Sequence, residues 1–555
     1  MAKAIAHAAA PRVSMDPGWI IVAVAVLIAF YPAIFGGFVW DDAFYVKNNP
    51  IFRAPMLVAI VRLATSIAVG NYHPLTMASL ALDNAFYGPG PLGFHATSVL
   101  LHAVNAVLVG RLFLAFWIRR EAAWTGALFW AVHPLRVESV AWISGRKDVL
   151  YVFFFLLALL AYLRHVKADA GTGRFYGLSL ALFVCSALSK AMAVAFLPVM
   201  FLVDWYMGRR LTRRVIVEKI PFVLAALAFG AVAVVAQKTA GAVPLILDHG
   251  LAGRLALACY GLAFYVAKTL APWGLSAFYP YPSAASGGLP LVVILAVLAV
   301  VAGATLVVWR RKQSRVVIFA AGFFVATVAL VLQVLPVGSA VAADRYTYLP
   351  AVSASFVIAA ALGAVPFRRS IAVAVVVAAL VLSGATWARC SVWHDGLTLW
   401  NDVISKYPDV AFAHLNRGLA RAESGDNSGA IADYDIALAK SPSFADAWAS
   451  RGVTKADLGD LDGAITDLHE AIRIRPAEAT YRFNLGLTLG DRGRWDEAIA
   501  SLGEAIRLKP DFAEAWFNRG LALELNGRWV EAAADVRRAE SLGYPVSPEV
   551  LRRFQ

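Results

Sequence analysis

Cysteine is scarce in this chain, which has three in 555 residues. Cys185, Cys259 and Cys390 lie in or beside apolar stretches, far apart, and none shows the close spacing of zinc ligands. A disulfide framework needs several paired cysteines, and a structural zinc site needs ligands at short, regular intervals. The cysteines therefore indicate neither a disulfide framework nor a zinc site.

Acidic residues are also scarce, but only in the first part of the chain. The first 408 residues hold 14 acidic and 32 basic side chains, whereas residues 409–555 hold 23 acidic and 18 basic ones. The pI near 9.6 comes with a mean hydropathy of +0.65 and 60% apolar residues. Basic loops beside apolar spans account for this excess, so it does not indicate a nucleic-acid partner.

Long apolar runs fill the first 390 residues and predict a polytopic membrane domain, because about 17–25 apolar residues suffice to span a bilayer. The first run lacks a small-residue cleavage site and is interpreted as an anchor. The predicted runs are Trp19–Phe38, Phe94–Trp117, Trp124–Ile143, Val149–Leu163, Phe175–Leu188, Ala191–Met207, Ile220–Ala236, Leu255–Pro272, Leu289–Trp309, Val316–Leu335, Leu349–Val365 and Ile371–Ala388.

Clusters of arginine and lysine indicate which loops face the cytoplasm. Five groups qualify, at 119–120, 164–174, 208–214, 310–315 and 368–369. An even number of crossings must separate Arg214 from Arg310, yet three apolar runs lie between them. We expect Leu255–Pro272 to be re-entrant or interfacial, which leaves about eleven spans and the C-terminal region outside the cytoplasm. Twelve spans, with that region inside, is the alternative.

A repeat of 34 residues begins where the apolar sequence ends. Pro408, Pro442, Pro476 and Pro510 mark its period, and small residues recur at fixed positions within each unit. Glycine at position 8 and alanine at positions 20 and 27 allow two helices to approach closely, and a glycine lies at each turn. The pattern resembles the tetratricopeptide repeat. His414 and Arg482 replace the position-4 aromatic residue, and Tyr544 replaces the last proline.

The chain is therefore predicted to be all-α, with a helical membrane bundle followed by an α-solenoid. The expected domains are a membrane domain over 1–390, a connecting helix over 391–410, four repeats over 411–546 and a tail over 547–555.

Asp41 and Asp42 form the first candidate site. They follow the first apolar run directly. Ionisable groups near a membrane are energetically costly, so those that solvation in a loop does not explain are candidate functional residues. A long segment too polar and proline-rich to cross follows them. The alternative interpretation is a pair of acids that ends a helix and faces water.

Charges in HPLRVESVAWISGRKD, residues 133–148, form the second candidate site. His133, Glu138, Arg146, Lys147 and Asp148 lie there on the predicted outer side, where few bases are expected. Lys190 and Arg345 occur in two further outer turns. Cations on this side need an anion, and a lipid phosphate is available at a membrane surface. Mutual pairing and capping of the next span is the alternative.

The order of these features resembles the transmembrane O-mannosyltransferases with tetratricopeptide repeats, within the GT-C glycosyltransferases. The resemblance is carried by the acidic pair, NYHPLT at 71–76, FHATSVLLHAVNAVLV at 94–109, the 133–148 segment, SK at 189–190, DRYTYLP at 344–350 and the repeats. His73 stands where the family pattern leads us to expect arginine.

This resemblance implies transfer of one sugar, such as mannose, from a polyprenyl-phosphate donor to a hydroxyl, on a protein acceptor recruited by the repeats. Asp41 or Asp42 is the expected general base, and Arg146, Lys147, Lys190 and Arg345 are expected to bind the donor phosphate. His73, His133, Glu138 and Asp148 are expected to support them. No metal or other cofactor is required, although His73 with Asp41 and Asp42 is a possible divalent-ion set.

A different class of function stays open, namely a flippase, transporter or non-catalytic scaffold with a docking arm. Transporters often contain inverted repeats and charges at mid-span, whereas the charges here lie at the outer ends of spans. The composition suggests a bacterial inner membrane with the repeats in the periplasm, or the endoplasmic reticulum in a eukaryote.

Overall fold

The computed structural model describes most of the chain and is helical throughout the part it describes. The chain divides into two compact units, Met1–Leu399 and Trp400–Gln555. The predicted all-α fold, with apolar helices followed by helical repeats, is confirmed. The described residues are 17–47, 49–53, 61–63, 65, 67, 70–168, 173–239, 250–282, 290–309, 315–334 and 340–553.

The first unit consists of helices rich in apolar residues. Within the described residues, six segments are long and apolar enough to cross a membrane: Pro91–Ala115, Ile143–Lys167, Arg213–Gln237, Leu251–Leu270, Leu291–Trp309 and Arg369–Val392. The described helices of at least ten residues in this unit are Pro17–Ala29, Pro74–Tyr87, Pro91–Ala115, Arg120–Ala131, Arg146–Lys167, Gly173–Ser189, Phe196–Tyr206, Ile220–Thr239, Leu251–Leu270, Leu291–Trp309, Arg315–Val328, Val352–Gly363 and Arg369–Val392. The next helix, Gly396–Lys406, begins in the first unit and ends in the second.

The expected span Trp124–Ile143 is wrong as a continuous helix. The structure has a helix Arg120–Ala131 that ends before His133, followed by short helical turns up to Gly145. Pro134 lacks a backbone N–H and disfavours helical geometry at the preceding residue, which accounts for the break. The following helix begins at Arg146, three residues earlier than predicted. The second candidate segment is thus a compact turn between two helices.

Leu251–Leu270 forms one uninterrupted helix of 20 residues. It has no break of the kind that a re-entrant hairpin contains, and it is one of the segments long and apolar enough to cross a membrane. The interfacial placement and the twelve-span alternative both remain predictions. The basic residues Arg310, Arg311 and Lys312, which the topology argument used, lie outside the described residues.

Long-range hydrogen bonds bring several loop segments of the first unit together. Ser144 donates its backbone N–H to Asp42 Oδ1 at 2.7 Å. Thr76 Oγ1 donates to the Ser189 carbonyl at 2.9 Å, which joins the start of Pro74–Tyr87 to the end of Gly173–Ser189. The Arg345 backbone N–H donates to Glu138 at 2.8 Å. Residues that are far apart in the sequence therefore share one region.

The second unit contains four pairs of antiparallel helices, each pair with the predicted glycine turn. Those glycines have φ angles between 78° and 86°, a region that glycine adopts without strain. The small residues at position 8 are also explained, since a Cβ on Gly418 would lie 2.5 Å from the Tyr434 ring. The pairs are Ala411–Glu423 with Asn427–Lys440, Ala445–Asp457 with Leu461–Ile474, Ala479–Asp491 with Trp495–Leu508, and Ala513–Leu525 with Trp529–Ser541.

The departures from the repeat pattern have local physical reasons. Trp448 and Trp516 each donate the indole N–H to the carbonyl of the preceding repeat proline, at 2.9 and 3.0 Å. His414 Nε2 lies 2.9 Å from the Pro408 carbonyl, so histidine reproduces this hydrogen bond. Tyr544 stacks on Phe517 at 4.6 Å, as suits a terminal unit. Part of the expected tail forms a short helix, Pro548–Arg553.

Candidate functional site

Asp42 is a buried anchor within the protein. Its carboxylate accepts from the Val39 backbone N–H at 3.0 Å, and from the backbone N–H and the hydroxyl of Ser144 at 2.7 and 2.5 Å. Burial raises the pKa of Asp42 to about 7, and these hydrogen bonds oppose that shift. The three hydrogen bonds to its carboxylate all come from residues of the chain itself. Asp42 therefore fixes the loop after the first helix onto the turn at 143–145.

Asp41, in contrast, carries a carboxylate that receives no hydrogen bond from any residue the structure describes. Burial raises its pKa above the ordinary value, and the positive charges of Lys147 and Arg345 lower it. The preceding residue, Trp40, has a φ of 54°, which is strained for a bulky side chain. Trp40 stacks on Trp142 at 5.1 Å, and this contact holds the strained backbone in place.

Lys147 is held by aromatic rings. Its Nζ lies 4.7 Å from the Tyr45 ring centre and 5.1 Å from that of Trp142, and it donates to the Tyr45 hydroxyl at 3.3 Å. Among the described residues, no carboxylate oxygen lies within ion-pair distance of this ammonium group. Its attraction to Asp41 acts without a direct contact. Lys147 is thus a buried cation with capacity for an anionic ligand.

Lys190 and Arg345 are cations paired with the buried acids Asp148 and Glu138. Lys190 Nζ lies 2.5 Å from Asp148 Oδ1. The Arg345 guanidinium pairs with Glu138, whose other oxygen accepts from the Arg345 backbone N–H at 2.8 Å. Both pairs lie beside the Tyr346 ring, at 5.5 and 4.9 Å.

Arg146 occupies a structural position, so its expected role as a phosphate ligand is not supported by its contacts. The guanidinium is fully buried and pairs with Asp83 at 2.7 Å. Its other nitrogens donate to Ser98 and Ser79, at 2.9 and 2.8 Å, and a further bond reaches the Phe94 carbonyl at 2.5 Å. These contacts join three helices and occupy all three guanidinium nitrogens.

The two expected supporting histidines occupy different environments. His133 Nδ1 accepts from the Leu135 backbone N–H at 3.3 Å, so its ring caps the turn that follows it. No described contact joins it to Asp41 or to the lysines. His73 is buried against the Tyr45 ring at 5.4 Å, and it lines a cavity together with Lys147 and Lys190. The structure therefore places His73 with the candidate site and His133 outside it.

Several residues of the site were not predicted as such from the sequence. Ser144 and Tyr45 contact Asp42 and Lys147, and Trp40 and Trp142 stack beside Asp41. Serine and aromatic residues are common in membrane helices, so nothing in their type marked them out. The strained tryptophan is visible only in the backbone geometry.

Within the part of the chain that the structure describes, no three histidine, cysteine or acidic side chains lie close enough together to hold a metal ion. Asp42 is saturated by internal donors, which removes one member of the set considered from the sequence. Independence from metal stays a prediction.

The comparisons with known proteins follow the two parts of the chain. The family model described as "Tetratricopeptide repeat" matches residues 393–443, 415–479 and 483–543, which confirms the repeat assignment. Solved structures of MamA and of YrrB, "a TPR protein with an unusual peptide-binding site", are similar to part of it. They show 23% and 19% identity, cover 27% and 26% of this chain and 87% and 76% of theirs, and have TM-scores of 0.25 and 0.24.

Curated relatives carry one common name. The chain is 33% identical over 216 residues to mouse "Protein O-mannosyl-transferase TMTC1", which is 35% of this chain and 23% of that protein. It is 35% identical over 148 residues to human "Protein O-mannosyl-transferase TMTC2", covering 25% of this chain and 17% of that one. For "Protein O-mannosyl-transferase F38B6.6" of Caenorhabditis elegans the identity is 27% over 194 residues, 33% of this chain and 27% of that protein.

The chain thus spans about a quarter or less of the length of these relatives. The resemblance to O-mannosyltransferases with tetratricopeptide repeats is confirmed as a sequence similarity. The activity of the whole protein is a separate inference.

Proposed function

We propose that this chain is a membrane glycosyltransferase that moves one sugar, mannose in keeping with the names of its relatives, from a polyprenyl-phosphate donor to a hydroxyl of a protein. The observation that carries the proposal is the Asp41 carboxylate. It is partly buried, free of hydrogen-bond donors in the described structure, and held by a strained backbone beside Lys147 and Arg345. A carboxylate so arranged suits proton abstraction, since burial moves its pKa toward neutrality.

Asp41 is the general base in this proposal. An oxygen atom of its carboxylate takes the proton of the acceptor hydroxyl while the hydroxyl oxygen forms a bond to the anomeric carbon. The bond between that carbon and the phosphate oxygen breaks, and its electron pair leaves with the polyprenyl phosphate. A single displacement from the face opposite the phosphate inverts the anomeric centre.

The departing phosphate gains negative charge, and the three remaining cations are the groups that can offset it. Lys147 is foremost among them, because the described structure pairs it with no carboxylate. Lys190 and Arg345 are held in place by Asp148 and Glu138, which position them without removing their charge. Arg146 has no part in this step, since its guanidinium is engaged in internal contacts.

The repeats would recruit the acceptor, because stacked helix pairs present extended surfaces that bind peptide segments. In the eleven-span topology both the repeats and Asp41 lie outside the cytoplasm. The donor lipid would reach the site from within the bilayer, and the acceptor protein from the aqueous side.

A transfer assay with purified full-length protein tests the activity. We expect labelled mannose to move from a polyprenyl monophosphate to an acceptor protein, without added metal and in the presence of a chelator. A protein that is folded and inserted yet transfers no sugar from this donor would favour the scaffold interpretation. Activity with a nucleotide sugar in place of the lipid donor would contradict the proposed donor class.

Labelling in intact cells tests the sidedness. In a background without the native cysteines, Val530→Cys should react with a membrane-impermeant maleimide, because Val530 is 84% exposed and lies in the repeats. Thr212→Cys, in a predicted cytoplasmic loop, should react only after permeabilisation. The reverse pattern would support the twelve-span alternative and would remove the premise of transfer outside the cytoplasm.

A further inference from the structure

A cavity lies where four segments of the first unit meet. It is lined by His73 from the residues before helix Pro74–Tyr87, by Lys147 and Lys190, and by Ala233 and Gln237 from helix Ile220–Thr239. The buried Lys147, the partly buried Lys190 and one imidazole thus line the same cavity. The proposed reaction uses the cations, but it gives no role to the histidine or to the helix that closes the cavity.

His73 presents an unpartnered nitrogen there. The residue is 3% exposed, and its Nε2 has no hydrogen-bond partner among the described residues. Burial, together with the positive charges of Lys147 and Lys190, lowers the pKa of His73 to about 3. The ring is therefore neutral at physiological pH and carries one N–H. A buried polar atom without a partner is costly, which points to a ligand atom in the cavity.

The surroundings of His73 favour an anion. Helix Pro74–Tyr87 has 14 residues and begins directly after His73, so its positive dipole end lies beside the cavity. The hydrogen bond from Thr76 to the Ser189 carbonyl holds that helix end next to Lys190. Lys147 adds a positive charge that no described carboxylate pairs with, and Lys190 adds an ammonium group that also contacts Asp148. A neutral donor, a helix start and two ammonium groups together suit the oxygens of one phosphate.

The helix that contributes Ala233 and Gln237 to the cavity lining also exposes apolar side chains. Helix Ile220–Thr239 exposes Leu224, Leu227 and Val234 by 63, 66 and 54%, as a lipid-facing helix does. Gln237 of the same helix donates to the Gly70 carbonyl at 2.9 Å and so joins it to the residues before His73. Among the described residues that line the cavity, Ala233 of this helix has a small side chain, next to the exposed Val234.

We propose that this cavity binds the phosphate group of a polyprenyl monophosphate, with His73 Nε2 donating to a phosphate oxygen and the lipid chain leaving past Ala233. The inference rests on the proposed function and names where its donor is held. His73 binds without adding charge, so the positive charge that faces the departing monophosphate comes from Lys147 and from the ammonium group of Lys190, which Asp148 holds in place.

Binding of a short-chain polyprenyl monophosphate without sugar tests the role of His73, with the purified full-length protein in detergent. His73→Ala should weaken binding about tenfold or more, as expected for a lost hydrogen bond to a charged group. His73→Gln should restore most of the affinity, because its amide provides a donor. A residue that only supports the fold would not show this rescue. Equal affinity of His73→Ala and the wild type, with matching thermal midpoints, would overturn the proposal.

Two matched substitutions on one helix test the passage for the lipid. Ala233→Phe should weaken binding of the lipid phosphate, because the larger ring fills the passage. Ala231→Phe, the same change at an exposed position of the same helix, should bind like the wild type. Equal effects of the two changes would contradict the passage. Competition by inorganic phosphate as strong as by the lipid would show a simple anion site and would also contradict it.

The binding assay and the transfer assay separate the two inferences. Wild-type transfer by His73→Ala and Ala233→Phe, with unchanged lipid binding, would refute this cavity and leave the proposed function intact. Loss of lipid binding in both variants, in a protein that transfers no sugar, would support the cavity and refute the reaction.

Discussion

Asp41→Asn should lower the rate of sugar transfer by about 10²–10⁴-fold while the protein still folds and inserts. General-base catalysis contributes a factor of this size, and the asparagine amide cannot take the proton of the acceptor hydroxyl. The thermal midpoint should change little, because no described residue donates a hydrogen bond to the Asp41 carboxylate. The measurement is the transfer rate of purified variants with a polyprenyl-phosphate sugar, alongside thermal unfolding in detergent.

Asp42→Asn is the matched control, one residue away and with the same change. Its carboxylate accepts three hydrogen bonds, from Val39 and from both groups of Ser144. An amide would turn an NH₂ group toward one of these donors, which costs about 1–3 kcal/mol when it leaves a buried group unsatisfied. Asp42→Asn should therefore lower the thermal midpoint first, and lower transfer in proportion to the loss of folded protein.

The pH dependence distinguishes the two acids further. Burial raises the pKa of Asp41 above the ordinary value, and only the ionised form acts as a base. The transfer rate of the wild type should therefore rise as the pH increases through that raised pKa. The residual transfer rate of Asp41→Asn should not show this rise. Full activity in Asp41→Asn, or a severe kinetic defect confined to Asp42→Asn at unchanged stability, would contradict the assignment of the base.

The sequence could identify the acidic pair but could not separate its members. The difference between them depends on Ser144, which lies 102 residues from Asp42, and nothing local to the pair reveals that contact. The same limit applies to Arg146 and Lys147. Neighbouring residues on a helix point about 100° apart, so one is turned to Asp83 and the other to the Tyr45 ring. Which neighbour faces the site depends on tertiary packing.

The repeats were predicted almost to the residue because their signals are local. The glycine turns and the small residues at position 8 act within one unit, and each unit repeats the evidence. In the membrane domain the sequence shows only how long each apolar run is, and this length does not show where a helix breaks. The prediction of one continuous span over Trp124–Ile143 was wrong for this reason, because the apolar sequence continues through a turn that begins at Pro134.

Arg146→Ala should cause the largest loss of stability among the charged residues of this segment. The change leaves Asp83 buried without its ion partner, and breaking a buried pair in this way costs about 3–5 kcal/mol. It also removes the donors to Ser98, Ser79 and the Phe94 carbonyl, which join three helices. A strongly lowered thermal midpoint, measured in detergent, is the expected result.

Lys147→Ala, the adjacent substitution, separates structure from chemistry. Its ammonium contacts two aromatic rings and one hydroxyl, and no carboxylate of the described chain pairs with it. We expect it to lose transfer with a small change in thermal midpoint, the reverse of Arg146→Ala. The double substitution Arg146→Met with Asp83→Leu should recover part of the stability, because it removes both buried charges together. If instead Arg146→Ala keeps its midpoint and loses turnover, Arg146 contacts the donor phosphate, as the sequence alone had suggested.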